Sequence, residues 1–214
     1  WWLCLQYELP DPPPLPADRP TCGIDLGCTT FATIASGGEV VEEVKPLKPY
    51  AKAKRKLRRL QRIVARRQKG SNRRRKAITQ LAKHHKRVAD IRSHHLHDVT
   101  CRLTKAYSLI GIEDLSVVGM IRGTLAGSVT DMGFGEFRRQ IEYKAAATGT
   151  KVVLVDRFFP SSKTCSGCGQ IKADLKLSDR TYRCECGLTL DRDHNAARNI
   201  EKYGMIQAVD VEPV

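Results

Sequence analysis

Four cysteines near the C-terminus constrain this chain more than any other feature. Cys165 and Cys168 form a CxxC on a Ser-Gly turn, Cys184 and Cys186 form a CxC followed by Gly187, and fifteen residues separate the two pairs. Two tight turns that each present two thiols suit a Cys₄ zinc ribbon, in which four thiolates surround one tetrahedral ion. The competing arrangement is two disulfides. Against it stand the lack of a signal peptide or long apolar run, and four further cysteines, Cys4, Cys22, Cys28 and Cys101, scattered without pairing rhythm. Four protein ligands leave no open position, so this zinc is expected to be structural and not to activate water. The CxC is a tighter knuckle than the usual CxxC.

A chain of 214 residues can bury one real core and a small satellite, and 41% hydrophobic with 6% aromatic residues fits a globular protein and not a membrane-spanning one. Its net charge of +14 is unevenly placed. Residues 48 to 105 carry 21 basic and two acidic side chains, leaving 16 basic and 21 acidic residues elsewhere. One segment therefore reads as a polyanion-binding surface on an otherwise slightly acidic domain.

The chain opens on Trp1 and not on Met, which suggests that sequence is missing upstream. Trp1 to Leu9 alternates like a strand, and Pro10 to Pro20 reads as an extended connector. Thr21 to Leu26, Phe31 to Ala35 and Glu39 to Val44, with Gly37-Gly38 before the last, predict an antiparallel meander. From Tyr50 the period changes. Ala53, Leu57, Leu60 and Val64 mark one helical stripe, Gly70-Ser71-Asn72 breaks it, and Ile78, Leu81, His85, Val88, Val99 and Leu103 mark a longer helix, so the pair predicts a basic hairpin. A strand over Ser108 to Ile112 ends at Glu113-Asp114. A Gly-rich loop, a helix from about Glu136 to Thr148, a strand over Lys151 to Val155, the cysteine module, and a helix over Asp193 to Tyr203 closed by Gly204 complete the chain.

That order of strands and helices is the order of a ribonuclease H-like domain. Three acids sharpen it: Asp25 within the first strand, Glu113 at the end of the fourth, and Asp193 in the first turn of the last helix. Carboxylates brought to one sheet edge bind Mg²⁺ or Mn²⁺, and two such ions about 3.5 to 4 Å apart can clamp the attacking and leaving oxygens of a phosphodiester. Asp25 would bridge the ions, with Glu113 and Asp193 each holding one side. Gly23 and Gly27 flank Asp25, and a small residue there would let a phosphate approach the backbone. Asp114 alternates away from Glu113, and Asp191 is placed to cap the last helix, so both stay outside the metal site.

Gly23-Ile24-Asp25-Leu26-Gly27, Ile112-Glu113-Asp114-Leu115-Ser116, Pro160-Ser161-Ser162-Lys163-Thr164-Cys165 and Asp191 through Ile200 resemble motifs of the TnpB (OrfB) family, the transposon-encoded RuvC-like nucleases with a zinc ribbon that are related to type V CRISPR effectors. The resemblance covers nearly the whole chain. It implies an RNA-guided DNA endonuclease of a bacterial or archaeal cytoplasm, associated with the nucleoid, with DNA as target and a guide RNA as partner. Carried over motif by motif, the catalytic acids fall on Asp25, Glu113 and Asp193, and the zinc ligands on Cys165, Cys168, Cys184 and Cys186. Two departures stand out: only the last strand of the family's N-terminal half is expected here, and the second knuckle is shortened to CxC.

The expected architecture is thus α/β, a ribonuclease H-like (RuvC) mixed sheet over 21–159 and 191–205, with a basic helical hairpin inserted at 48–106 and a zinc ribbon at 160–190. Residues 1–20 would be the last strand of a missing domain and its linker, and 206–214 a tail. On the hairpin, Arg55, Arg58, Arg59, Arg62 and Arg66, then Arg73, Arg74 and Arg75, are too dense for mere solubilisation, because like charges at neighbouring helical positions repel unless a polyanion neutralises them. Such contacts bind backbone and carry little sequence information, which guide pairing would supply. His84, His85, His94, His95 and His97 spread around a basic helix and read as solvated or phosphate-facing; His194 reads as a surface neighbour of Asp193. A second class of function is a truncated nucleic-acid-binding remnant without cleavage, and a third is a transposase joining DNA ends, although no tyrosine motif marks a covalent mechanism.

Overall fold

Alternation and β-branched residues put five short strands into one mixed sheet. The computed structural model describes residues 3–5, 16, 18–176 and 178–209. Strands β1 (Thr21–Leu26), β2 (Ala32–Ser36), β3 (Glu39–Val44), β4 (Leu109–Glu113) and β5 (Lys151–Val155) lie in the order β3-β2-β1-β4-β5. β1 to β3 form the antiparallel meander, whereas β4 and β5 run parallel to β1. The strand expected over Trp1 to Leu9 lies mostly outside the described residues, and 3–5 carry none.

Strand alternation sends the two faces of this sheet to different helices. Cys22, Ile24, Ile110 and Ile112 join a core with Leu96, Val99 and Leu103 of α2 (Asn72–Ala106) and Phe134, Phe137 and Ile141 of α5 (Phe134–Thr148). On the other face Gly23 and Gly111 sit side by side in register and receive α6 (Arg192–Val209) at backbone distance. A Cβ on Gly23 would meet the Glu201 nitrogen at 2.2 Å and the Ala197 oxygen at 2.4 Å. Gly23 is therefore closed under a helix, and Gly27 is spent on the turn to Thr30, where a Cβ would lie 2.9 Å from a carbonyl. The expectation of a phosphate approach at Gly23 is corrected: its small size serves packing against α6.

Gly23→Ala is expected to cost about 3 kcal/mol or more, because the obstructing atoms are backbone and cannot turn aside. Gly127→Ala, a helical position with open space around it, is the matched control. It should be neutral or stabilising by up to about 1 kcal/mol, both effects being read as shifts in urea midpoint.

The basic segment folds as α1 (Pro49–Arg66) against the first half of α2. Leu57 and Leu60 are buried, while Arg55, Arg58, Arg59, Arg62 and Arg66 follow helical spacing along the opposite, exposed side. On α2 the stripe differs from expectation, since Ile78 is exposed and the smaller Ala77 packs inward. The start of α1 is pinned by Asp131, whose carboxylate accepts from Tyr50 N at 2.9 Å and Ala51 N at 3.0 Å and pairs with Arg92 at 3.2 Å. Nothing nearby in sequence announces that cap.

Two further corrections concern glycine. The stretch from Gly119 to Gly135, expected as a loop, contains α3 (Val117–Ile121) and α4 (Ala126–Met132). The last helix does not close at Gly204 but continues through it to Val209, so the expected tail is helical as far as the described residues extend. Gly204 is there for closeness: a Cβ on it would meet Leu109 Cδ2 at 3.3 Å and Gly111 Cα at 3.4 Å. Among the described residues no helix is long and apolar enough to cross a membrane.

Candidate functional site

Asp25 shares its strand face with Gly23, and Glu113 shares its own with Gly111, so both carboxylates stand on the side of the sheet that α6 covers. The parallel register Ile24↔Ile112 brings Asp25 and Glu113 to successive places at the same ends of the two central strands. Asp193 lies in the first turn of α6 and is 21% exposed; Asp25 and Glu113 are likewise partly buried. Burial, followed by the charges of Glu113 and Asp193, raises the Asp25 carboxyl well above its ordinary value. Burial also raises Glu113, against the lowering effect of the Ser161 hydroxyl that donates to it. A partly buried carboxyl raised by burial and then by two neighbouring acids is a candidate cation-binding group. Among the described residues, the four cysteine sulfurs form the one group of such donors in which all atoms lie within 4.8 Å of one another.

The neighbouring acids behave differently. Asp114 binds Arg138 and Arg157, which lower its pKa, and Asp191 Oδ1 accepts from Asp193 N at 2.8 Å as a helix cap. His194 pairs with Glu43. His95 packs on Phe31 at a centroid distance of 5.6 Å, its pKa lowered by burial, and no described histidine joins a metal-like cluster.

The cysteine module lies between β5 and α6, with the hairpin β6 (Thr181–Arg183) and β7 (Thr189–Asp191) at its end. The sulfurs of Cys165 and Cys186 are 3.6 Å apart, as are those of Cys168 and Cys184. These are free thiols and not disulfides. The spacing fits the roughly 3.8 Å edge of a tetrahedron with metal–sulfur bonds of about 2.3 Å. Gly169 and Gly187, with φ of 81° and 90°, turn the chain after each pair, so the shortened CxC still delivers two sulfurs. Although burial opposes it, the backbone N–H groups of Cys168 and Gly167 hold the Cys165 thiol down at about 7. Tyr182 closes the back of the cluster, its hydroxyl donating to Lys163 O at 3.1 Å.

Asn195 and Asn199, one turn apart and buried, fasten this module to α6. Asn195 donates to Thr164 O at 2.7 Å and accepts from Ser166 N at 2.9 Å, while Asn199 donates to Ser161 O at 2.7 Å and Thr164 O at 2.6 Å. Neither asparagine has a role that its own sequence neighbourhood announces, nor does Ser161. The available signal was two amides at helical i, i+4 spacing among alanines, a pattern that demands buried partners.

Arg55, Arg58, Arg59, Arg62, Arg66, Arg73 and Arg75 are exposed and Arg74 partly so; none is matched to a carboxylate among the described residues. The hairpin thus presents an unneutralised cationic face.

Residues 4–123 match the family model OrfB_IS605, described as "Probable transposase". The chain belongs to the TnpB (OrfB) family. Residues 134–200 of this TnpB family member match the "Cas12f1-like, TNB domain" model. The chain is 39% identical over 193 residues to a "Putative RNA-guided DNA endonuclease" of Streptomyces pristinaespiralis, covering 90% of this chain and 47% of that protein. It is 34% identical over 221 residues to the "Putative RNA-guided DNA endonuclease InsQ" of Escherichia coli K12, covering 95% and 54%. The chain therefore spans about half the length of these relatives. Its fold is similar to that in a cryo-EM structure of the Cas12f1–sgRNA–target DNA complex, with a TM-score of 0.59, 21% identity, and coverage of 92% of this chain and 52% of that one.

Proposed function

We propose that this TnpB family chain carries the nuclease core of a transposon-associated, RNA-guided DNA endonuclease with a ribonuclease H-like (RuvC) sheet. The observation that carries the reading is the placement of Asp25 and Glu113 at the same ends of β1 and β4 on the face that α6 covers, with Asp193 in the first turn of α6, and with the Asp25 carboxyl raised by burial first and then by both other acids. Asp25, Glu113 and Asp193 would hold Mg²⁺ or Mn²⁺, which supplies charge stabilisation and an activated water for phosphodiester hydrolysis. The chain's own residues orient this site: Ser161 fixes the Glu113 carboxylate, and Asp191 fixes the first turn that bears Asp193. Cys165, Cys168, Cys184 and Cys186 would hold a structural zinc, and residues 160–190 form its ribbon. The arginine face of the hairpin would lie along the backbone of a guide RNA–DNA duplex, whose base pairing supplies the sequence.

The test is cleavage of labelled single-stranded and duplex DNA by the purified chain with Mg²⁺ or Mn²⁺, beside an EDTA control. Metal-dependent cutting supports the reading. A second reading, a nucleic-acid-binding protein that does not cut, draws on the exposed arginine face of the hairpin; salt-sensitive binding without cleavage would select it. Under either reading the hairpin is electrostatic. Replacing Arg58, Arg59 and Arg62 with Ala should lower the slope of log affinity against log salt by roughly one unit per lost phosphate contact, uniformly across sequences.

A further inference from the structure

We propose that Phe158 is a stacking platform for an unpaired base of the strand held at the carboxylate edge, an inference that rests on the nuclease reading above. The turn from Asp156 to Ser161 begins and ends at Glu113: Val155 pairs with Glu113 in the β4–β5 register, and the Ser161 hydroxyl donates to the Glu113 carboxylate. Both neighbours of Phe158 are pinned. Arg157 binds Asp114, and the Phe159 ring packs on Tyr203 at a centroid distance of 4.8 Å. The turn is set from inside, with Phe158 N donating to Asp156 Oδ1 at 2.7 Å and Phe159 N to Asp156 O at 3.0 Å. Phe158 itself is 85% exposed, more than any other large apolar side chain among the described residues.

A turn that half-buries Phe159 against Tyr203 and holds the neighbouring Phe158 out to solvent gains nothing for the fold from the exposed ring. What such a ring offers is a flat π-face beside an acid cluster that needs a phosphate. Nucleobases match it, and any base will stack, so the contact is tolerant of sequence. Bases inside a duplex already stack on one another, which restricts the platform to unpaired strand. A protein partner laid over Phe158 would also cover the end of β4 where Glu113 must receive substrate, so nucleic acid is the occupant that fits.

The experiment is fluorescence anisotropy of labelled single-stranded and duplex oligonucleotides with the full chain, using Ca²⁺ in place of Mg²⁺ so that binding is read without cutting. Phe158→Ala should weaken single-strand binding by about five- to a hundredfold, leave duplex binding and the salt slope unchanged, and be rescued by Phe158→Trp but not by Phe158→Leu. One abasic position in the strand should reproduce the loss in the unsubstituted chain and add nothing in Phe158→Ala. Unchanged single-strand affinity in Phe158→Ala, no sensitive abasic position, or equal rescue by Leu would each overturn the proposal. Failure of the nuclease reading is separately visible: the unsubstituted chain would not cut with Mg²⁺, whatever Phe158 does to binding.

Discussion

Asp25→Asn is expected to abolish cleavage, by about a thousandfold or more, and at the same time to make the metal-free protein more stable. Removing an anionic ligand at the centre of the cluster deprives a divalent ion of the charge that holds it, and a loss of about 4 kcal/mol in transition-state stabilisation corresponds to that factor. The stability gain follows from burial first, and then from Glu113 and Asp193, which raise the Asp25 carboxyl above its ordinary value of 3.8. The folded protein therefore keeps a proton that the unfolded chain gives up. Its stability falls as pH climbs from that ordinary value through the raised one, and the neutral amide escapes the penalty. In EDTA near neutral pH, Asp25→Asn should melt higher than the unsubstituted chain. Adding Mg²⁺ should then stabilise the unsubstituted chain, by about 2.7 kcal/mol at a hundred times its Kd, and do little for the variant. Thermal melts over a pH series, with and without Mg²⁺, check both signs.

Cys165→Ser, or prolonged chelation, is expected to release one zinc per chain, lose the ordered module and stop cleavage although no carboxylate has been touched. Structural zinc contributes on the order of 10 kcal/mol to the folding of small domains, and this module has little else: its apolar core is Cys165, Leu175 and Tyr182, with Cys184 and Leu188 against it. The effect should reach the acids because the module is tied to them. Asn195 and Asn199 hold its carbonyls to α6, whose first turn bears Asp193, and Ser161 at its entrance binds Glu113. Zinc content, the environment of Tyr182 by near-ultraviolet circular dichroism, and cleavage should fall together. Zinc lost with full activity retained would mean that the module is a separate accessory to the acids.

The parts of this fold that were legible are those set by short-range pattern. β1, β3 and β5 occupy the predicted residues, and the two hairpin helices break where Gly70 and Ser71 say they should. What local pattern could not show is which residues meet across the chain. Gly23 looked like an opening for a phosphate because α6, which covers it, lies more than 160 residues away. Gly204 carries the usual signature of a helix end, yet packing against Leu109 and Gly111 overrides propensity and the helix runs on. Asp131 caps α1 from another element. For the site the division is similar: the order and spacing of acids and cysteines marked the candidate ligands, while the groups that hold them in place, Ser161, Asn195 and Asn199, became visible only from their partners.

The most direct measurement of the central claim is anomalous scattering from crystals of the chain equilibrated with Mn²⁺ at a concentration that supports cleavage. Manganese is expected to be bound by Asp25 together with Glu113, Asp193 or both, on the sheet face covered by α6, and to disappear in Asp25→Ala. Manganese bound only at other carboxylates, or cleavage that survives with this edge empty, would contradict it.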